Sequence, residues 1–109
     1  MTKYNNRKVV IDGITFDSQK EGNFYCELKM LRMAGEVKDF SLQVPYELQP
    51  KFKRAGKTIR AIKYVADFVV TYADGSTAVI DTKGYKTKDY LLKKKMLLYR
   101  YPDINFKEI

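Results

Sequence analysis

The sequence predicts an α/β fold, with two helices packed on a mixed central sheet and a short N-terminal hairpin before them. Two segments combine helical periodicity with capping residues, and the segments between them are rich in β-branched and aromatic residues. Their order is hairpin, helix, three strands, helix and strand. Because 109 residues suit a single domain, we expect one domain, with the hairpin in residues 1–17 and the core in residues 18–109.

The hairpin and the first helix are predicted from turn and capping residues. Asp12-Gly13 is a turn between two short apolar runs within residues 7–17. Ser18 is suited to cap a helix that continues to Ala34, and the glycine that follows is a common helix end. Gly22 is unfavourable inside a helix, which indicates that another segment or a substrate approaches closely there.

Three strands are predicted after this helix. Residues 37–50 form the first, and a basic connection at residues 53–60 follows it. Ile62–Tyr72 and Thr77–Thr82 lack clean alternation, which is typical of central strands covered on both faces.

A second helix and a final strand complete the predicted fold. Thr87 caps a helix at about residues 88–100, which Pro102 ends, and Ile104–Ile109 is the last strand. The helix is apolar almost all round. That pattern is typical of a packed helix with snorkelling lysines, and it also fits the surface of a homodimer.

Two acidic residues lie inside the central strands, where the pattern favours apolar ones. A three-residue loop at Ala73-Asp74-Gly75 places Asp67 directly opposite Asp81, with Cβ atoms roughly 4.5–5.5 Å apart. A two-residue loop would place Asp67 opposite Thr82 instead. A buried acid is costly unless it is paired, protonated or bound to a cation.

Facing aspartates predict a site for a hard divalent cation. Oxygen ligands suit Mg²⁺ or Mn²⁺, which take one or two carboxylates together with water and phosphate. Lys83, two residues after Asp81, is expected on the same strand face. The alternative is that Lys83 and Asp67 form a structural ion pair.

Glu21 has two interpretations that the sequence leaves open. Ser18-x-x-Glu21 matches a capping box, in which the glutamate accepts a hydrogen bond from the N-cap amide. Glu21 also shares a helix face with Phe24 and Leu28, so it points toward the core, where a catalytic carboxylate would lie.

Composition narrows the chemistry and indicates the partner. The chain has no histidine and one cysteine, Cys26, so Cys/His zinc sites, Ser-His-Asp triads and internal disulfides are excluded. It also has no P-loop motif.

Its 21 basic and 13 acidic residues give a net charge of +8, which favours a nucleic-acid partner. Residues 51–63 contain six basic residues and no acid, and they could also be a solvated basic loop. The predicted contacts there are Lys53, Arg54, Lys57 and Arg60.

The sequence favours a cytoplasmic protein without a membrane partner. No apolar run approaches the roughly 18 residues of a membrane span, and the polar start at residues 1–6 lacks the apolar stretch of a signal peptide. A single cysteine fits a reducing compartment.

Glu21 on the first helix, Asp67 on a central strand and Asp81-Thr82-Lys83 on the next resemble the PD-(D/E)xK nuclease superfamily, which has the restriction-endonuclease-like fold. The order helix, three strands, helix and strand is the core of that fold, and the resemblance covers about residues 18–109. Ala66 departs from the signature, which has proline there. The further runs YVADF, VIDTKG, Lys93-x-Lys95 and Tyr101-Pro102 resemble a small family of phage- and prophage-borne endonucleases, similar in layout to archaeal Holliday-junction resolvases.

The resemblance implies a metal-dependent endonuclease that hydrolyses DNA, duplex or branched, including recombination intermediates of phage DNA metabolism in the host cytoplasm. Asp67, Asp81 and the Thr82 carbonyl would hold Mg²⁺ or Mn²⁺, with Glu21 as a direct or water-mediated ligand. Lys83 would orient and help deprotonate the attacking water. Lys95-x-x-x-Tyr99 resembles in spacing the Gln-x-x-x-Tyr element of some of these nucleases, which makes Lys95 a candidate phosphate contact.

Two other classes of function compete with the nuclease. One is a non-catalytic basic module that binds nucleic acid, and the other is a phage accessory protein that acts by protein–protein contact. Both predict that Asp67→Asn or Asp81→Asn leaves function intact.

Overall fold

A computed structural model describes residues 7–109 and has two helices, a mixed sheet and an N-terminal hairpin, which confirms the predicted α/β fold. The polar start at residues 1–6 lies outside the described residues. The elements in chain order are β1 (Val9–Ile11), β2 (Ile14–Phe16), α1 (Gln19–Met33), β3 (Val37–Gln49), β4 (Phe52–Arg54), β5 (Lys57–Ile59), β6 (Ile62–Tyr72), β7 (Thr77–Asp81), α2 (Lys88–Arg100) and β8 (Phe106–Glu108).

The central sheet has the strand order β3-β6-β7-β8. β6 is antiparallel to both neighbours and β8 is parallel to β7, so the sheet is mixed as predicted. The pairing Phe68↔Ile80 and the left-handed Gly75, with φ of 90°, confirm the three-residue loop between β6 and β7. The paired residues end at Phe68↔Ile80, one step before Asp67 and Asp81.

Both helix starts are capped as predicted. The Ser18 hydroxyl accepts a hydrogen bond from the Glu21 N–H at 3.1 Å, and Thr87 does the same for Tyr90 at 3.0 Å. Gly22 of α1 faces β1, and a Cβ built there would lie 2.8 Å from Val9 Cγ2. The close approach predicted from this glycine is therefore that of the N-terminal hairpin.

The basic connection at residues 53–60 is itself a β-ribbon, which corrects the prediction. β4 and β5 pair antiparallel in a sheet of their own, separate from the central sheet. Ala55 (φ 51°) and Gly56 (φ 77°) form the turn, and positive φ at both turn residues matches the right-handed twist of a hairpin. Ala-Gly is a weaker hairpin signal than Asn-Gly, and lysine is disfavoured in strands, so the pattern did not predict it.

Two boundaries also differ from the prediction. β7 ends at Asp81, so Thr82 and Lys83 lie beyond the strand. The final strand covers Phe106–Glu108 only. Neither α1 nor α2 is long and apolar enough to cross a membrane, and this holds for the whole described range of residues 7–109.

The hydrophobic interior consists of two clusters, one against each helix. Phe68 and Val70 of β6 belong to the cluster under α1, whereas Tyr64 and Ala66 of the same strand pack in the cluster that contains Leu97 of α2. In a regular strand these four alternate residues would share one face of the sheet. The side-chain alternation of β6 therefore reverses between Ala66 and Phe68, at Asp67, so that residues before and after this point face opposite sides of the sheet. We call this reversal the turnover.

β3 turns over together with β6. Its pairing with β6 passes from Leu42↔Phe68 to Val44↔Ala66, and the intervening Gln43 has φ of 52°. A non-glycine residue in this left-handed region is uncommon and marks a local departure from regular strand geometry. The turnover brings Asp67 and Gln43 to the boundary between the two clusters.

Candidate functional site

An open cavity of about 650 Å³ lies at this boundary, between the start of α1, the middle of β6 and the segment after β7. Four residues predicted for the site line it: Glu21, Asp67, Thr82 and Lys83. Asp81, the fifth, is not among the described residues that line it. Three parts of the chain that are distant in sequence thus contribute to one cavity.

Asp67 is held in place by the backbone after β7. Its Oδ2 accepts hydrogen bonds from the Thr82 N–H at 3.0 Å and from the Thr82 hydroxyl at 3.1 Å. Its Oδ1 lies 3.9 Å from the Lys83 Nζ, and this lysine side chain is 30% exposed. The ion pair that was one alternative for Asp67 and Lys83 is present, at the wall of the cavity.

Asp81 is fully buried next to Asp67. It is 0% exposed, and its Oδ1 accepts a hydrogen bond from the Asp67 N–H at 2.8 Å. Its Oδ2 is buried and has no hydrogen-bond partner among the described residues. The expectation that Asp81 and Lys83 share one strand face is wrong, because the strand ends at Asp81 and Lys83 turns to the cavity.

Burial raises the pKa of the Asp81 carboxyl, and the Asp67 N–H and Lys83 oppose that rise. The folded protein therefore keeps this proton to a higher pH than the unfolded chain does. Between the two pKa values the folded state binds more protons, so its free energy of unfolding falls as the pH rises.

Asp81→Asn removes this titration, and its amide oxygen can still accept the bond from the Asp67 N–H. Without divalent metal, we expect the Tm of the variant to gain on that of the wild type as the pH rises above about 4, because only the wild type then loses a proton that its folded state binds more tightly. Thermal melts across the pH series measure it. Asp103→Asn, which changes an exposed carboxylate, is the control; parallel curves for wild type and Asp81→Asn would contradict the prediction.

Glu21 is both a cap and a cavity residue. Its Oε1 accepts a hydrogen bond from the Asp17 N–H at 3.0 Å, one residue before the Ser18 amide of a standard capping box. Its Oε2 accepts one from the Gln43 Nε2 at 3.2 Å. Glu21 is 4% exposed; burial and then the nearby charge of Asp67 raise its pKa.

The acidic residues do not form a compact metal cage. Within residues 7–109 there is no group of three or more histidine, cysteine, aspartate or glutamate side chains arranged to hold one ion. A magnesium ion uses only one or two protein carboxylates when water and phosphate supply its other ligands.

Tyr90, which lies beside Lys83, and its partner Glu108 had no signal in the sequence. The Lys83 Nζ lies 5.3 Å from the centre of the Tyr90 ring, a cation–π distance. The Tyr90 hydroxyl donates a hydrogen bond to Glu108, which also pairs with the Lys94 Nζ at 2.9 Å. Burial, then the bond to Glu108, raises the pKa of Tyr90 well above its ordinary value. These contacts join α2 to β8 across many residues, so local patterns could not predict them.

Gln43 was also missed. Its polar side chain between Leu42 and Val44 looks like ordinary alternation in a strand with one solvated face. Only its positive φ brings its amide to the Glu21 carboxylate.

The predicted nucleic-acid contacts lie apart from the cavity. Lys53, Arg54 and Lys57 are exposed on the ribbon, Arg60 follows it, and Lys95 is exposed on α2. Ile62, the first residue of β6, lies five positions and about 17 Å from Asp67 at the usual rise of a strand, and the ribbon lies beyond it.

A protein-family model matches the whole chain, residues 1–109. The chain belongs to the DUF1064 family. This family is described as a protein of unknown function. A search of curated proteins found no significant match, and a search of solved structures also found none.

Proposed function

We propose that this protein is a metal-dependent nuclease that hydrolyses phosphodiester bonds in DNA. The observation that carries the proposal is the convergence of Glu21, Asp67 and Lys83 on one open cavity, in a chain with a strongly basic ribbon. Carboxylates with an adjacent lysine suit hydrolysis of a phosphate diester, because oxygen ligands bind a hard cation and the lysine can act on water and on phosphate charge.

The donor set fits Mg²⁺ or Mn²⁺. Asp67 would hold the ion from the cavity wall, with Glu21 and the Thr82 carbonyl beside it. Asp81 does not line the cavity, so it would join the ligand set only through its buried Oδ2, which has no hydrogen-bond partner among the described residues. When bound, such an ion lowers the pKa of water and neutralises phosphate charge.

The chain's own residues have separate tasks in this proposal. Thr82 fixes the orientation of the Asp67 carboxylate through two hydrogen bonds. Lys83 is oriented by Asp67 and by the Tyr90 ring, and it directs the attacking water and stabilises charge on the phosphate oxygens. The restriction-endonuclease-like topology is part of this proposal, and the order α1, β3, β6, β7, α2 and β8 of the helices and central-sheet strands supports it.

Incubation with single-stranded, duplex and branched DNA tests the proposal, with Mg²⁺, with Mn²⁺ and with chelator. We expect cleavage only with a divalent ion. Absence of cleavage of all three substrates with both ions would contradict the proposal. The DNA series also identifies the form that is cut.

Glu21→Gln separates the two roles of this residue. A glutamine can accept from the Asp17 N–H and pair with the Gln43 amide, so we expect the Tm at neutral pH to hold or rise. Removing the carboxylate charge should lower cleavage by about 10- to 100-fold, at the scale of a metal-site contact. Cleavage rates over a range of Mg²⁺ concentrations measure the effect. Full activity throughout that range would mean that Glu21 is only a cap.

A non-catalytic module that binds nucleic acid is the second candidate. The observation that favours it is the absence of a three-carboxylate group among residues 7–109. It predicts that Asp67→Asn leaves the protein's function unchanged.

The predicted homodimer stays a prediction, as does an accessory role through protein contact. The outer surface of α2 exposes Leu91, Leu92, Leu98 and Tyr99, which is the surface that either would use.

A further inference from the structure

The basic ribbon, defined as β4, β5 and their turn (residues 52–59), has two chemically different faces. Cross-strand partners share a face, so the pairs Phe52↔Ile59 and Arg54↔Lys57 lie on one side. The pair Lys53↔Thr58 lies on the other. One face therefore combines an aromatic ring and an aliphatic side chain with two cations next to them.

The apolar pair on this face is uncovered. Phe52 is 43% exposed and Ile59 is 40% exposed, and neither belongs to the two hydrophobic clusters described in residues 7–109. The ribbon forms its own two-stranded sheet, and a lone hairpin is marginally stable in water. Burying such a pair gains roughly 25 cal/mol for each Å² of apolar surface, which favours a partner that covers this face.

The charge of the ribbon identifies the class of partner. Residues 51–63 carry six basic side chains and no acidic one, and residues 51–60 are all exposed. A protein partner for this surface would need a matching acidic groove, whereas the regular phosphates of a nucleic acid provide the same complement in every sequence. A nucleotide fits this face, because its base would cover the apolar pair and its phosphate would meet the two cations.

We infer that this face of the ribbon binds unpaired nucleotides, with Phe52 stacked on a base and Arg54 and Lys57 on the adjoining phosphates. The inference deepens the proposed function and rests on it for the choice of partner. In a duplex the faces of the bases are covered by their neighbours, so an aromatic ring next to phosphate-binding cations meets a free base face only where the strands are not paired.

The distance from the cavity sets where these nucleotides lie. The ribbon adjoins the Ile62 end of β6, which lies about 17 Å from Asp67 along the strand. The bound unpaired segment would therefore lie several nucleotides from the bond that is cut. This selects DNA with a single-stranded segment, such as a flap or a junction, over uninterrupted duplex.

Binding measurements on the full chain test the inference. The probes are a single-stranded DNA of about 20 nucleotides, longer than the roughly 4–16 nucleotides that one single-strand-binding module covers, and the duplex of the same sequence. Fluorescence anisotropy is measured in chelator, so that no cleavage occurs. We expect Phe52→Leu to weaken binding to the single strand by roughly 5- to 100-fold, the equivalent of removing one stacked base, and to leave binding to the duplex almost unchanged.

Two further variants exclude an effect on folding. Phe52→Trp keeps an aromatic face and should retain binding to the single strand. Met33→Ala removes an apolar side chain that is even more exposed than Phe52 from the end of α1, and it should change nothing. An equal loss on both probes with Phe52→Leu, or no loss on the single strand, would overturn the inference, as would failure of Phe52→Trp to bind.

The cations on the same face give an independent measurement. Arg54→Gln combined with Lys57→Gln should lower the salt dependence of single-strand binding by about 0.7 for each phosphate that is no longer neutralised. Lys38→Gln combined with Lys107→Gln removes two lysine charges from β3 and β8, away from the ribbon, and should leave the slope unchanged. Equal slopes for the two double variants would overturn the inference.

Because binding is measured without metal, the inference and the nuclease proposal fail separately. Intact single-strand binding without cleavage in Mg²⁺ or Mn²⁺ would contradict the nuclease alone. Cleavage that is indifferent to Phe52 would contradict the ribbon's role alone.

Discussion

Lys83→Ala should lower the rate of DNA cleavage by about 10²- to 10⁴-fold, the usual loss when a positioned proton-transfer group is removed. Its amine is not a metal ligand, so metal binding and DNA binding should persist. The lysine is 30% exposed and its contact with Asp67 is 3.9 Å, so we expect only a small change in stability. Single-turnover cleavage at saturating protein measures the chemical step separately from binding.

Lys107→Ala is the matched control, because it removes an exposed lysine on β8. Lys83→Arg adds information on the role of the side chain, since arginine keeps the charge and cannot give up its proton. Partial activity in Lys83→Arg would indicate that the charge on the phosphate matters more than proton transfer. Wild-type cleavage by Lys83→Ala would show that this constellation is not catalytic.

Asp67→Asn should abolish both cleavage and any rise of Tm caused by Mg²⁺ or Mn²⁺. A ligand that binds only the folded protein raises its stability, so the Tm shift reports metal binding directly. The asparagine oxygen can keep accepting from the Thr82 N–H and hydroxyl, and the fold should therefore survive. The metal stabilises the charge of the transition state by several kcal/mol, and losing that stabilisation lowers the rate by about 10²- to 10⁴-fold.

Asp67→Ala distinguishes the structural role of the carboxylate from its charge. It leaves the buried Thr82 N–H without its acceptor, which should cost about 1–3 kcal/mol of stability. Asp67→Asn should not show that loss. If metal still raises the Tm of Asp67→Asn by as much as it does for the wild type, Asp67 is not a ligand.

The order of the two helices and the central-sheet strands, and the register of the central hairpin, were predictable because their signals are local. Ser18 and Thr87 cap helices through bonds that span three residues, and the loop before Ser76 fixes how β6 and β7 pair. Asp67 and Asp81 were predictable as site residues for an equally local reason, since they interrupt apolar runs.

The depth of the two aspartates was not predictable. Tyr64, Ala66, Phe68 and Val70 alternate as one face of a strand would, and no residue among them indicates that β6 turns over at Asp67. The turnover depends on packing against two helices from different parts of the chain. It separates Asp67, which lines the cavity, from Asp81, which is fully buried and does not line it.

The turnover also places Asp67 between two halves of the molecule, one packed on α1 and the other on α2. The ends of β3 and β6 beyond it are fastened to α2, where Tyr101 and Arg100 bond the carbonyls of Glu47 and Leu48. The other ends are fastened under α1. Close packing transmits strain, so a displacement of either helix against its cluster would reach Asp67 and alter its approach to Glu21.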